Sequence, residues 1–212
     1  ALGGFDLDNS ALFEKEDKPD EYAADNYEAS EVVTAGYAML KQRINDKLSA
    51  NVGFRVEQTS IEYDGNEYDE ETDGVTATAG EEDFINILPS IHLKYDYDKN
   101  TVIRAAWTNT ISRPNYYDLV PYRNIKEDNE ELEVGNPELE PTTSMNFDLM
   151  AEKYFSSIGI VSAGLFYKSL NDYIYVEKRS DYLDPVSGNT YDDYFKPMNG
   201  AEATLYGFEC AV

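Results

Sequence analysis

Long stretches of alternating apolar and polar residues constrain this chain more than any other feature. In residues 48–57 the even positions are Leu, Ala, Val, Phe and Val, whereas the odd positions are Ser, Asn, Gly, Arg and Glu. The same period of two recurs in residues 85–97, 101–111, 145–152 and 159–168. This period indicates β-strands with one apolar and one polar face. The strand patterns run to roughly 12–18 residues, whereas a strand in a soluble protein is typically 5 or 6.

Short and long connections alternate between these strands. Tight turns are predicted at residues 45–47, 98–100 and 156–158, because Asn, Asp, Ser and Lys separate the alternating runs there. The pattern predicts an antiparallel up-and-down meander whose tight turns lie at one end and whose long connections lie at the other. The long loops are expected near residues 9–27, 64–83, 113–143 and 178–199.

The net charge of -25 lies entirely in the long connections. Residues 6–31, 64–83, 113–140 and 177–193 hold 32 acidic and 7 basic residues, and the rest of the chain holds 10 of each sign. Nucleic-acid binding is excluded, because it needs clustered Lys and Arg. A single His and a single Cys exclude His-rich metal sites and an internal disulfide. They also leave no convincing nucleophile set, so we expect neither an enzyme nor a cofactor.

Two structures fit the alternation. A soluble β-sandwich or meander would bury the apolar face, whereas a transmembrane barrel would turn that face to lipid and line a lumen with the polar face. The strand lengths favour the barrel, since a membrane strand needs about 9–11 residues. The predicted fold is therefore all-β, part of a transmembrane β-barrel with about seven strands. The chain begins at Ala1 and stops at Val212 within an alternating stretch, so we expect it to be part of a longer protein.

Several motifs in order resemble the late-barrel segment of TonB-dependent outer-membrane receptors. The resemblance covers roughly residues 27–212. It is carried by Ile-Arg-Ala-Ala-Trp-Thr-Asn-Thr-Ile-Ser-Arg-Pro at 103–114, Tyr-Asp-Leu-Val-Pro at 117–121, Gly-Asn-Pro-Glu-Leu-Glu-Pro at 135–141, Ser-Met-Asn-Phe-Asp-Leu at 144–149, Gly-Leu-Phe-Tyr-Lys at 164–168, Asp-Tyr-Ile at 172–174 and Tyr-Gly-Phe-Glu at 206–209.

The resemblance implies a Gram-negative outer-membrane transporter. Residues 1–212 would then form part of a 22-strand barrel without its plug domain, and the acidic loops would face outside. The expected partners are outer-membrane lipid, the plug domain of the same parent chain, the TonB complex through the N-terminal part, and a small-molecule or oligosaccharide ligand. The expected function is uptake of a large, scarce nutrient, with an oligosaccharide favoured over a ferric siderophore.

Candidate ligand-binding residues cluster in the loop that follows the fourth strand. Arg113 and Arg123 offer donors to an anionic or hydroxylated ligand, although Arg113 has an alternative role as a structural partner of a carboxylate such as Asp118. Tyrosine offers a flat ring and a hydroxyl to sugars or aromatic chelators, or packs within the folded loop. The tyrosine candidates are Tyr116, Tyr117 and Tyr122.

Further polar residues are assigned to the lumen, either as a network that holds the plug or as a merely solvated face. They are Arg55, Glu57, His92, Lys94, Arg104, Asp148, Glu152 and Lys168. No metal site is expected. A weak Ca²⁺ candidate is formed by Asp64, Asp69, Glu71 and Asp73, which lack the EF-hand spacing. Two alternatives stay open, namely a soluble, acidic Ca²⁺-binding adhesion module and a barrel without energy coupling.

Overall fold

The computed structural model describes residues 26–69, 74–126, 130–156 and 159–212. The chain forms eleven strands and one short helix in these residues. In order they are β1 (Glu28–Arg43), β2 (Leu48–Asp69), β3 (Gly74–Asp98), β4 (Thr101–Ser112), α1 (Tyr116–Leu119), β5 (Arg123–Lys126), β6 (Glu131–Val134), β7 (Thr142–Phe155), β8 (Gly159–Asn171), β9 (Ile174–Leu183), β10 (Thr190–Asn199) and β11 (Glu202–Ala211).

Seven strands form one large antiparallel sheet, which we call the wall. Its order is β1-β2-β3-β4-β7-β8-β11, so wall strands that follow one another along the chain are neighbours in the sheet. The other four strands form a small sheet in the order β5-β6-β10-β9, in which β6 and β10 are parallel. The predicted all-β, antiparallel meander with about seven barrel strands is confirmed.

The tight turns of the wall close through side chains that cap the backbone. The Asn45 Oδ1 atom accepts hydrogen bonds from the Lys47 and Leu48 amides, each at 2.9 Å. The Asp98 Oδ1 atom accepts the Asn100 amide at 2.8 Å. Asn and Asp favour such turns because their side chains substitute for a backbone acceptor. The turn at 156–158 lies partly outside the described residues.

The long connections contain more regular structure than expected. Most of residues 64–83 continues β2 and β3, and the ladder between these strands extends to the pair Asp69 and Gly74. The alternation of apolar and polar residues does not reveal this extension of the strands, because acidic and small residues there occupy both faces. The predicted loop at 113–143 contains α1, β5 and β6. The loop expected at 9–27 lies almost wholly outside the described residues.

The predicted loop at 178–199 is also corrected. It forms the hairpin of β9 and β10 around a short turn, and the strand that begins at Gly159 ends at Asn171, before β9 begins. Asp172, with φ 55°, lies at this interruption. A left-handed residue breaks an extended strand, so the chain leaves the wall after β8 and enters the small sheet.

The wall keeps its apolar and polar residues on opposite faces. In the ladder between β2 and β3, Val52 lies opposite Ile91, and Asn51 lies opposite His92. The apolar face stays open to the surroundings: Ile85 is 71% exposed and Phe208 is 77% exposed. Both hydrophobic clusters of the described residues lie elsewhere. The apolar face therefore carries no second layer from this part of the chain.

The larger hydrophobic cluster lies on the polar face of the wall. Ile61, Tyr63 and Phe84 come from β2 and β3, and the unbroken register between these strands places them on the same face as Asn51 and His92. The cluster is completed by four residues of the long connection after β4, namely Leu119, Val120, Tyr122 and Leu139. A second cluster lies within the small sheet, around Leu132, Tyr191 and Tyr194.

Candidate functional site

The polar face of the wall collects the residues assigned to the lumen. Cross-strand register places each of them on one face, because directly opposed residues in an antiparallel ladder share a face. They run across five strands from β2 to β8. They are Arg55, Glu57, His92, Lys94, Arg104, Asp148, Glu152 and Lys168.

Some of these residues form ion pairs along the polar face. Lys94 Nζ lies 2.8 Å from Asp96 Oδ1, and Arg104 Nε lies 3.3 Å from Glu152 Oε2. Arg55 donates a short hydrogen bond to Glu57. The Lys94–Asp96 pair is exposed on both sides, and an exposed pair of this kind stabilises a fold by at most about 1 kcal/mol.

A hollow on this surface has a volume of about 580 Å³. Its charged residues are Lys41, Lys94, Arg104 and Asp148, with His92 beside them. Lys94 and Arg104 already have carboxylate partners in Asp96 and Glu152, so the hollow is close to charge-balanced. Such a surface fits a polar partner of mixed charge better than a single strong anion. The polar lining is completed by Ser49 and Asn51.

Arg113 is held by the wall. Its Nε donates to Thr59 Oγ1 at 3.0 Å, and its Nη2 atom donates a short hydrogen bond to Glu57 Oε2. Glu31 Oε1 lies 4.0 Å away. Arg113 is therefore the partner of a carboxylate, as the structural alternative proposed, but that carboxylate is Glu57 and not Asp118. Sequence offers no signal for this pair, because 56 residues separate its members.

The three candidate tyrosines differ in accessibility. Tyr117 and Tyr122 stack on each other with ring centroids 4.1 Å apart. Tyr122 is buried within the larger cluster, and this burial raises the pKa of its hydroxyl. Tyr116 is 39% exposed, and its hydroxyl donates to Glu31 Oε2 at 3.0 Å. Of the three, Tyr116 offers the most accessible ring to a ligand.

Arg123 lies at the start of β5 and contacts the turn between β9 and β10. Its Nη2 atom donates to Asp184 Oδ2 at 2.7 Å, and both side chains are largely buried. Burial alone would raise the pKa of Asp184, but hydrogen bonds from Arg123 and Ser187 outweigh it and lower the pKa to about 2. The pair joins two distant segments of the small sheet. The guanidinium of Arg123 is thus bound to a carboxylate inside the protein.

Asn136 is a structural residue that sequence patterns did not single out as a ligand. It is buried, its Nδ2 donates to the Pro197 carbonyl at 2.9 Å, and its Oδ1 accepts the Glu138 amide at 3.2 Å. These contacts use its amide for both donor and acceptor functions. Asn136 therefore connects the Gly-Asn-Pro element at 135–137 to β10.

Only part of the weak Ca²⁺ candidate is described. Asp64 is exposed at the outer part of β2, the side chain of Asp69 is not described, and Glu71 and Asp73 lie outside the described residues. No group of three or more His, Cys, Asp or Glu side chains suited to a metal ion occurs in the described ranges. The Ca²⁺ assignment stays a prediction.

In the part of the chain that the structure describes, none of the helices is both long and apolar enough to cross a membrane.

A wide antiparallel wall with an open apolar face and a charged polar face defines a transmembrane β-barrel protein. The chain belongs to the outer membrane protein beta-barrel family, whose model matches residues 5–211. It is accordingly a protein of the Gram-negative outer membrane. No curated protein matches the chain.

Solved structures share this fold at low sequence identity. The hemophore receptor HasR of Serratia marcescens, solved with its hemophore HasA and heme, is 14% identical with a TM-score of 0.62, and the match covers 85% of this chain and 31% of HasR. The copper transporter OprC is 12% identical with a TM-score of 0.62, and the match covers 86% of this chain and 26% of OprC.

A third solved structure extends the likeness. The ferric-catecholate import receptor Fiu from E. coli is 13% identical with a TM-score of 0.60, and the match covers 87% of this chain and 25% of Fiu. The chain thus spans about a third or less of these receptors. The resemblance to TonB-dependent receptor barrels is confirmed at the level of the fold, and the family model confirms an outer-membrane β-barrel.

Proposed function

We propose that this chain is part of the barrel of a TonB-energised receptor that imports a large, scarce nutrient. The two-faced wall is the observation that carries this proposal, because an open apolar face suits lipid and a charged opposite face suits an aqueous lumen. A soluble adhesion module would have to cover residues such as Ile85 and Phe208, which stay exposed here.

The partners follow from this role. Outer-membrane lipid would contact the apolar face. The plug domain of the same parent chain would occupy the lumen against the hollow that contains Lys41, His92 and Asp148. The TonB complex would contact the N-terminal part of the parent chain. We propose no catalytic role, and the solved structures of similar fold named above are receptors and transporters.

The substrate is best proposed as a metal chelate, with an oligosaccharide as the alternative. The oligosaccharide expectation rested on three tyrosines, of which Tyr117 and Tyr122 are stacked on each other. Arg113 and Arg123, which would bind an anionic chelate, also have protein partners. The support for a chelate therefore comes from receptors of the same fold, whose names refer to heme, ferric catecholate and copper.

Whole-cell uptake by the full-length receptor tests both the mechanism and the substrate. Cells that carry the receptor would be given iron-labelled siderophores, haem and labelled oligosaccharides, with and without a functional TonB. We expect uptake of a chelate that is lost without TonB. Uptake that continues without TonB would indicate a passive barrel, and uptake of oligosaccharide alone would overturn the chelate assignment.

A further inference from the structure

Two stretches of the connection after β4 lie against the inside of the wall. Residues 113–122 and 135–141, which we call the inner shelf, flank β5 and β6 of the small sheet. The shelf contributes Leu119, Val120, Tyr122 and Leu139 to the larger hydrophobic cluster, and each is at most 6% exposed. The shelf thus covers an apolar patch on the lumen face of β2 and β3.

The shelf contacts the wall too closely for a loosely resting loop. A Cβ atom on Gly65 of β2 would lie only 2.3 Å from Val120 Cγ1, so this position has no room for a side chain while Val120 is docked. Within the shelf, a Cβ atom on Gly135 would lie 1.7 Å from the Val120 carbonyl oxygen. Val120 therefore fits between two glycines, one from the wall and one from the shelf itself.

Polar contacts hold both ends of the shelf. At the first end, Arg113 donates to Glu57 and Thr59 of β2. At the second end, Asn199 Nδ2 donates to the Glu140 carbonyl at 2.9 Å, and the Glu140 amide donates to Asn199 Oδ1 at 2.8 Å. Between the two ends, the backbone N–H of Asn136 donates to the backbone carbonyl of Asp118 at 2.7 Å. This hydrogen bond joins the two stretches of the shelf.

Undocking the shelf would expose the apolar cluster and leave the partly buried Arg113 and Glu57 without each other. Mobile lids are usually drawn from segments with few buried apolar contacts, and the shelf has the opposite character. We infer that the inner shelf stays docked throughout the uptake cycle and acts as a fixed constriction of the outer lumen. A ligand then enters along the part of the lumen that the shelf leaves open, past the exposed ring of Tyr116. This inference rests on the proposed import function.

A disulfide across the docking contact tests this inference. The Cβ position of Gly65 lies 3.8 Å from Val120 Cβ, which matches the usual separation in disulfides of about 3.8 Å. The Val120→Cys change also removes the γ-methyl group that would collide with a new side chain at residue 65. The experiment uses the full-length receptor with Gly65→Cys and Val120→Cys, in a background that carries Cys210→Ser.

We expect the cross-link to form in intact cells and uptake to stay within about twofold of the reduced double variant. Failure of the cross-link to form would overturn the docking. A tenfold or larger loss of uptake that a reductant restores would show that the shelf opens and would overturn the fixed constriction.

Thiol labelling separates this inference from the substrate assignment. If the wild-type receptor imports none of the substrates offered, the proposed function fails, but the single Val120→Cys variant still tests the shelf. A docked shelf protects this thiol from a hydrophilic maleimide equally in energised and de-energised cells. Labelling that accelerates several-fold on energisation would overturn the inference.

Discussion

The wall and the small sheet are both β-structure, but they differ in how their apolar side chains are buried. The wall leaves side chains such as Phe208 uncovered, and its buried contribution to the larger cluster comes from Ile61, Tyr63 and Phe84. The small sheet buries Leu132 completely, as a soluble domain would. The difference teaches that the wall depends on lipid for its apolar face, whereas the small sheet carries its own core.

Breaking the buried ion pair of the small sheet should give the largest effect. Arg123→Met leaves Asp184 largely buried without its cation, which typically costs about 3–5 kcal/mol. Hydrogen exchange of β10 amides in the purified full-length receptor measures the loss. Arg179→Met is the matched control, because Arg179 pairs with Glu177 on an exposed surface. Equal protection in both variants would contradict the prediction.

The core of the small sheet should respond next. Leu132 is fully buried and Leu183 is 64% exposed. Truncating a buried leucine to alanine costs about 2–5 kcal/mol, so Leu132→Ala should weaken protection of β6 and β10, whereas Leu183→Ala should leave it nearly unchanged. The same exchange experiment checks this. Similar losses for both variants would mean that the small sheet has no core of its own.

Two adjacent alanines sharpen the comparison on the wall. Ala105 lies opposite Leu149 on the apolar face, and Ala106 lies opposite Asp148 on the polar face. An arginine at a lipid-facing position near the bilayer centre costs about 2–4 kcal/mol. Ala105→Arg should therefore reduce the yield of folded receptor in outer membranes, while Ala106→Arg should be tolerated beside a carboxylate. The reverse order would refute the assignment of the two faces.

Lowering the pH should destabilise the small sheet before it destabilises the wall. The folded-state pKa of Asp184, about 2, lies below its ordinary value of 3.8. Its contribution of roughly 2 kcal/mol is therefore present above pH 4 and is lost as pH falls toward 2. Cleavage of residues 184–189 by pepsin should rise over this interval. Arg123→Met should flatten the pH dependence, and an unchanged profile would show that the pair does not control this turn.

The sequence predicted the wall well because one physical rule determines it. Alternation assigned Val52 and Ile91 to one face and Asn51 and His92 to the other, and the register agrees. Two strands of the small sheet, β5 and β6, escaped prediction because they are short. Residues 123–126 and 131–134 are too brief for a period of two to be distinguished from chance.

The candidate site could be predicted only in part. The polar face followed from periodicity, but the partners of Arg113 and Arg123 did not. Arg113 contacts Glu57 across 56 residues and Arg123 contacts Asp184 across 61 residues. Pairing at such separation depends on how the connection after β4 folds against the wall, and local patterns contain no information about that.

The length of the β2–β3 hairpin exceeds what a membrane crossing needs. β3 has 25 residues, which at a rise of about 3.3 Å each make a ribbon of roughly 80 Å. A ribbon tilted by about 45° uses roughly 40 Å to cross the hydrocarbon. The remaining half of the strand therefore lies outside the hydrocarbon. Under the import function proposed above, a diffusing ligand would meet acidic residues of this half, such as Asp64 and Glu81, before it reached the barrel, and a negatively charged ligand would be repelled there.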